Sequence, residues 1–243
     1  AGTLNLNTTA ANSIAGNLTV AGGTAVLQQS DQIPDGANVV VSGGTLNIGA
    51  NSDTVNGVQL TGGSINGSGG TATSVTTFDL QAGSASAILA GATAGIGVTK
   101  TNTGTVTLSG VNTYTGVTTI NAGTLSVATI GNGGAAGNLG AATAAAGNLV
   151  LGGGTLQYTG ANASTNRDFT LTAGTTSSID VTTNTLTMSG AGAATNGALT
   201  KTGAGTLTFT GANTYTGLTT VSAGTLNLNT TAANSIAGNL TVA

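Results

Sequence analysis

Six aspartates are the only acids in this 243-residue chain, and Lys100, Arg167 and Lys201 are its only bases. Asp31, Asp35 and Asp53 are the acids that fall near one another. Two positioned carboxyl groups are what glycoside cleavage requires, and several carboxylate oxygens are what calcium requires. The competing reading is a solvated loop, Asp31-Gln32-Ile33-Pro34-Asp35, carrying acidic turn residues. No catalytic, cofactor-binding or metal-ligating role is assigned to any residue. There is no His, Cys, Glu or Trp. That removes zinc, haem and iron–sulfur sites and the Ser-His and Cys-His nucleophiles. Three cations cannot neutralise a run of phosphates, which argues against nucleic acid as a partner. Without Cys no disulfide forms, and the redox compartment cannot be read from cysteines.

Other candidate motifs are weaker. Gly131-Asn132-Gly133-Gly134-Ala135-Ala136 fits a loose dinucleotide fingerprint but lacks its strand–helix context, and reads as a flexible loop. Arg167-Asp168 reads as a surface charge pair. Tyr114 and Tyr215 occupy equivalent repeat positions, and packing is favoured over a carbohydrate-stacking role. Rows such as Thr105-Val106-Thr107 and Thr206-Leu207-Thr208 suggest an ordered hydroxyl array of the ice-binding kind. Yet the corresponding positions elsewhere are Asn5, Asn47, Ser126 and Gln157, which breaks the ladder.

The elements that position these residues follow from composition and repetition. Gly occurs 42 times and Thr 50 times, with net charge −3 and 39% hydrophobic residues. Helix is disfavoured by that mixture, and strands with frequent turns are favoured. The high net charge and low hydrophobicity of disordered chains are absent. The sequence from Ala1 reads as a strand pattern rather than a leader peptide, and Ala85 to Val98 is too short for a membrane span.

Residues 1–21, AGTLNLNTTAANSIAGNLTVA, recur letter for letter at 223–243. The expectation is one 222-residue period, 1–222, followed by the start of the next, 223–243, in a longer tandem array. No capping segment is read at either end, so open strand edges are expected there. Within the period, KTNTGTVTLSGVNTYTGVTTINAGTLSV at 100–127 returns as KTGAGTLTFTGANTYTGLTTVSAGTLNL at 201–228.

A finer repeat is a Gly followed by Thr or Ser, at Thr3, Thr24, Thr45, Ser64, Ser84, Thr105, Thr124, Thr155, Thr175, Thr206 and Thr225. Eight of these ten steps are 19–21 residues and two are 31, the longer ones attributed to loops such as Gly131–Ala146 or to an unrecognised corner. Alternating apolar and polar residues flank each corner, as in Asn17-Leu18-Thr19-Val20 before it and Leu46-Asn47-Ile48 after it. Each rung of about 20 residues cannot bury its apolar face alone, so the expected fold is an all-β parallel β-helix, a β-solenoid. Asp79 and Lys100 each lie five residues before a corner, which predicts that they stack one rung apart in contact.

The segments at 100–127 and 200–228, with their shared Asn-Thr-Tyr-Thr-Gly, resemble the autotransporter-associated β-strand repeat. That resemblance implies a right-handed parallel β-helix, secretion through an outer-membrane barrel, and display on a bacterial cell surface. The reading is then a structural repeat of an extracellular fibre or adhesin stalk, a stiff rod rather than an enzyme. Its partners would be its own neighbouring repeats, in a continuous array or a bundled fibre, and a surface or host-cell ligand. The alternative is a binding module using a solenoid face or loops such as 31–53 to hold a surface, a glycan or ice.

Overall fold

The computed structural model describes residues 1–230 and 235–243. Apart from a single 3-10 turn at Ala146–Asn148, the regular structure among these residues is β-strand, and all the strand pairs are parallel. The chain winds as a β-solenoid of about twelve coils, and each coil passes through three faces.

The first face stacks Leu18–Val20, the beginnings of Asn38–Gly49 and Gly57–Gly67, then Phe78–Leu80, Val98–Lys100, Thr118–Ile120, Leu149–Leu151 and Thr170–Leu171. After a corner, the second face stacks Thr3–Leu6, Thr24–Leu27, the ends of Asn38–Gly49 and Gly57–Gly67, then Gly83–Ala85, Thr105–Leu108, Thr124–Val127, Thr155–Tyr158 and Thr176–Val181. The third face carries Asp53–Val55, Thr71–Ser74 and Ile88–Gly91. Further along it carries Ala163–Thr165 and Thr185–Met188.

Alternation along each strand decides what is inside. In Phe78–Leu80 the two apolar residues are buried and Asp79 is half-exposed, because successive side chains point to opposite sides. Stacking then places like on like: Val41, Leu60, Leu80, Lys100, Ile120, Leu151 and Leu171 form one inward column. The core is therefore a narrow apolar axis running the length of the molecule. Its corners require glycine where backbones meet. Gly63 has φ +75°, and a Cβ there would lie 2.1 Å from the carbonyl oxygen of Gly44 in the preceding coil.

The corners depart from the expected register at two places. Ser84 stacks on Thr107, not Thr105, because the corner after Lys100 is longer than the one after Leu80. Thr155 stacks on Ser178, not Thr175, and Thr206 stacks on Thr185. The 31-residue step from Thr124 to Thr155 is a single coil containing the inserted loop, for those two residues are stacked neighbours. The other long step hides a corner at Thr182-Thr183-Asn184-Thr185, where Asn184 takes φ +61° in place of glycine.

That hidden corner moves the chain on by one face. Ala198–Thr202 stacks on Thr176–Val181 of the second face, and Thr206–Phe209 stacks on Thr185–Met188 of the third. Thr219–Val221 and then Leu240–Val242 continue the second face, and Thr225–Leu228 continues the third. The strands of residues 1–21 thus recur within 223–243 at Thr225–Leu228 and Leu240–Val242, each one face further round. Residues 231–234 of that copy lie outside the described residues.

Candidate functional site

The sequence candidates do not assemble into a reaction centre. Asp31 and Asp35 are exposed, whereas Asp53 turns inward and is buried. Asp53 Oδ2 accepts hydrogen bonds from the backbone N–H of Gln32 (2.7 Å) and Ile33 (3.0 Å). Its Oδ1 has no hydrogen-bond partner, and the group lines a small cavity with Ile33, Val39, Leu46 and Ile48. Burial pushes this carboxyl up to about 6, opposed by the two backbone bonds and aided by the charges of Asp31 and Asp35. Among the described residues no group of three or more such side chains is placed to hold a metal ion. Alternation along Asp53–Val55 sends Asp53 into the core, away from the solvent-facing Asp31 and Asp35.

The expected Asp79–Lys100 contact is corrected. Asp79 stacks on Thr99 and faces outward, while Lys100 stacks on Leu80 and faces inward. Asp79 accepts from Gln59 Nε2, Gln81 Nε2 and Thr101 Oγ1, each at 2.8 Å. Desolvation is the largest influence on its carboxyl, but these three bonds and the nearby Lys100 charge together hold it below the ordinary aspartate value. Lys100 Nζ donates instead to the carbonyls of Thr101 and Asn102 in its own corner and of Ala122 in the next coil. Lys201 repeats this with Thr202, Gly203 and Ala223. Burial lowers both ammonium groups from the ordinary lysine value, with Asp79 and Asp180 opposing.

Arg167 is likewise buried, not a surface partner of Asp168. Its Nε donates to Gly131 O (3.0 Å), its Nη1 to Ala142 O (3.2 Å), and its Nη2 to Gly140 O (2.7 Å) and Asn132 O (3.4 Å). The Gly131–Ala146 loop is thus a folded insertion gathered round one guanidinium, with Leu139 and Ala142 buried. Asp168 accepts from Ala191 N–H (2.7 Å) in the following coil. All three cations bind backbone carbonyls, and none is exposed.

The repeated Asn-Thr-Tyr-Thr-Gly motif is built the same way in both copies. Asn112 Oδ1 accepts from Leu89 N–H (2.9 Å) and its Nδ2 donates to Asn138 O (2.9 Å), so one buried amide ties segments 23 and 26 residues away. Asn213 Oδ1 accepts from Gly192 N–H (2.7 Å) and its Nδ2 donates to Ser235 O (2.9 Å). Tyr114 and Tyr215 are fully buried, with their hydroxyls paired to Thr118 (2.9 Å) and Thr219 (3.0 Å). Burial pushes both phenols up to about 12, opposed by those hydroxyl bonds. Phe169 adds to this core, 5.9 Å from Phe209 and 6.1 Å from Tyr215 between ring centroids. A buried ring cannot stack on a sugar, so both tyrosines are packing residues. In each repeat the Lys and the Asn bond to neighbouring coils, and the Tyr packs in the core.

Residues 98–127 and 199–228 each match the family described as Passenger-associated-transport-repeat. The chain carries two passenger-associated transport repeats. The matched segments are the ones that contain the Lys100 and Lys201 corners and the paired Asn-Thr-Tyr-Thr-Gly motifs. Such repeats belong to autotransporter passengers, which implies a secreted, surface-exposed chain. No curated protein and no solved structure matches the chain.

The outer faces of the solenoid offer no uniform ladder around these repeats. Along the first face the outward column reads Thr19, Val40, Gln59, Asp79, Thr99, Thr119 and Val150. Along the second it includes Thr107, Ser126, Gln157 and Asp180. Among the described residues, no helix is long and apolar enough to cross a membrane.

Proposed function

We propose that this chain is a period of a tandem array forming the stalk of a bacterial extracellular fibre or adhesin, and that it acts mechanically as a stiff spacer on the cell surface. Its principal partner is its own neighbouring period, stacked as the next coil. The observation that carries this reading is a difference between identical residues. Leu18 and Val20 are 6% and 4% exposed, whereas their copies Leu240 and Val242 are 47% and 76% exposed. Leu18–Val20 is covered by the coil containing Val39 and Val41, whereas Leu240–Val242 stacks on Thr219–Val221 and its side chains are bare on the open side.

Burying that open apolar end on a following coil removes large hydrophobic side chains from water, worth roughly 1.5–3 kcal/mol for each one fully covered. Stacking also satisfies the free edge of the last strands, which otherwise invites pairing. The test is amide exchange on this chain and on one extended past residue 243 by a copy of residues 22–63. Protection at Leu240–Val242 is expected to rise to the level at Thr219–Val221, which has a strand on both sides. Unchanged protection would contradict the array reading.

A further inference from the structure

The two copies of each repeated sequence lie on different faces, and this has a consequence for the surface of the array. Lys100 stands in the first-face column, stacked between Leu80 and Ile120. Lys201 stands in the second-face column, stacked between Ile179 and Val221. The cause is local. Gly205 N–H donates to Val181 O (2.8 Å) and Thr206 N–H to Asn184 O (2.8 Å), so the glycine corner of the second repeat sits over the asparagine corner between the second and third faces. In the first repeat the equivalent corner lies between the first and second faces, where Thr105 stacks on Thr124.

Following the second face from Thr3–Leu6 leads through ten further stacked strands to Thr219–Val221, and one more corner leads to Thr225–Leu228. The 222-residue sequence period is therefore ten coils and one third, not a whole number. We infer that successive periods of the array advance by one face, so that its structural repeat is three sequence periods, and every once-per-period feature is displayed on the three faces in turn. This rests on the tandem-array reading for its extension beyond residue 243, while the one-face advance belongs to this chain alone.

The inserted Gly131–Ala146 loop, gathered on Arg167, is the largest such feature. An array with whole-number periods would carry it as a one-sided comb. A one-third advance distributes it around the axis and makes the rod a multivalent surface open to a partner from any side. The second-face ladder runs through the advance unbroken, from Thr176–Val181 to Ala198–Thr202 and Thr219–Val221, so what changes is which part of the repeat supplies each face.

The chain contains no cysteine, so engineered pairs report the register directly. Ser178 is the stacked neighbour of Thr200, and adjacent strands bring Cα atoms within disulfide range. The pair Ser178→Cys with Thr200→Cys is expected to oxidise nearly completely, and the pair Thr170→Cys with Thr200→Cys to remain reduced. A stack that kept each repeat on its own face gives the reverse result and would overturn the inference. In an array of three or more periods, a cryo-electron density map is expected to show the insertion on a different face in each successive period. Insertions on one face, in an array whose periods do stack, would overturn the phase advance and leave the array reading intact. Failure of the periods to stack, with the Ser178–Thr200 disulfide formed, would overturn the extension to the array alone.

Discussion

The ammonium of Lys100 lies 3.1 Å from the carbonyl oxygen of Ala122, one coil further along the axis, and no carboxylate pairs with it. It occupies an inward column whose neighbours are Leu80 and Ile120. Replacing Lys100 by Met keeps the apolar stem but leaves the carbonyls of Thr101, Asn102 and Ala122 without their donor. A lost charged hydrogen bond and an unmatched buried acceptor each cost roughly 1–3 kcal/mol. Urea unfolding of Lys100→Met is expected to show a loss of about that size. The Lys100→Arg variant should not restore it, because a planar fork does not fit a corner shaped for a compact ammonium. A variant as stable as the parent would show that the lysine is only packing.

Asp53 predicts an unusual dependence on pH. Its folded value, about 6, lies above the ordinary 3.8, so the folded state takes up a proton before the unfolded state does. Stability should therefore rise as pH falls from neutral through about 6 and level off near 4, by at most about 3 kcal/mol at 1.36 kcal/mol per unit. Asp79 acts in the opposite sense at lower pH, since its folded value lies below 3.8 and its contribution is lost as pH falls below about 4. Asp53→Asn retains an oxygen for the Gln32 and Ile33 N–H groups without the charge. It is expected to be more stable than the parent at pH 7 and nearly flat between pH 7 and 5. A parent profile already flat over that interval would contradict the buried-carboxyl account.

Arg167 predicts where the solenoid is open to attack. Its guanidinium holds four carbonyls of the inserted loop, and no other cation is nearby to replace it. Arg167→Met is expected to lose at least about 3 kcal/mol, given the several charged bonds removed. Limited digestion with elastase, which cuts after small residues, should then cleave the variant within 131–146 while the parent resists. Equal resistance would show that Leu139 and Ala142 hold the loop without the arginine.

Salt should matter little. Six aspartates and three cations form no ion pair among the described residues, and every cation is bound to carbonyls inside the fold. Screening acts mainly on exposed charges within a Debye length, about 10 Å at 0.1 M. The unfolding midpoint in urea is expected to shift by less than the equivalent of about 0.5 kcal/mol between 0.05 and 0.5 M sodium chloride. A large shift would require electrostatic contacts that the fold does not contain.

Much of this architecture is legible in the sequence because the solenoid is locally written. Gly-Thr corners and alternation at Leu18-Thr19-Val20 or Phe78-Asp79-Leu80 specify strand, face and coil length together. The corner at Asn184 was not legible, since it uses asparagine's tolerance for positive φ rather than glycine. That corner hides the one-face advance and makes Thr175 look like the neighbour of Thr206, while the longer corner after Leu171 sets Thr155 on Ser178. The buried cations are hard to read for a different reason: charge ordinarily marks a solvent-facing position. Parity along Val98-Thr99-Lys100 carried the correct signal, because it places Lys100 on the same side as Val98. Nothing in the sequence marks Arg167 as the anchor of the loop, for its partners are backbone carbonyls brought together from 25 to 36 residues away.

The central claim is that coils stack from one period into the next and build a rod. Arrays of one, two and three periods, compared by small-angle X-ray scattering and electron microscopy, test it most directly. At about 4.8 Å per coil, each added period should lengthen the particle by about 50 Å at constant cross-section. Periods that behave as flexibly linked beads, with no fixed increment in length, would contradict it.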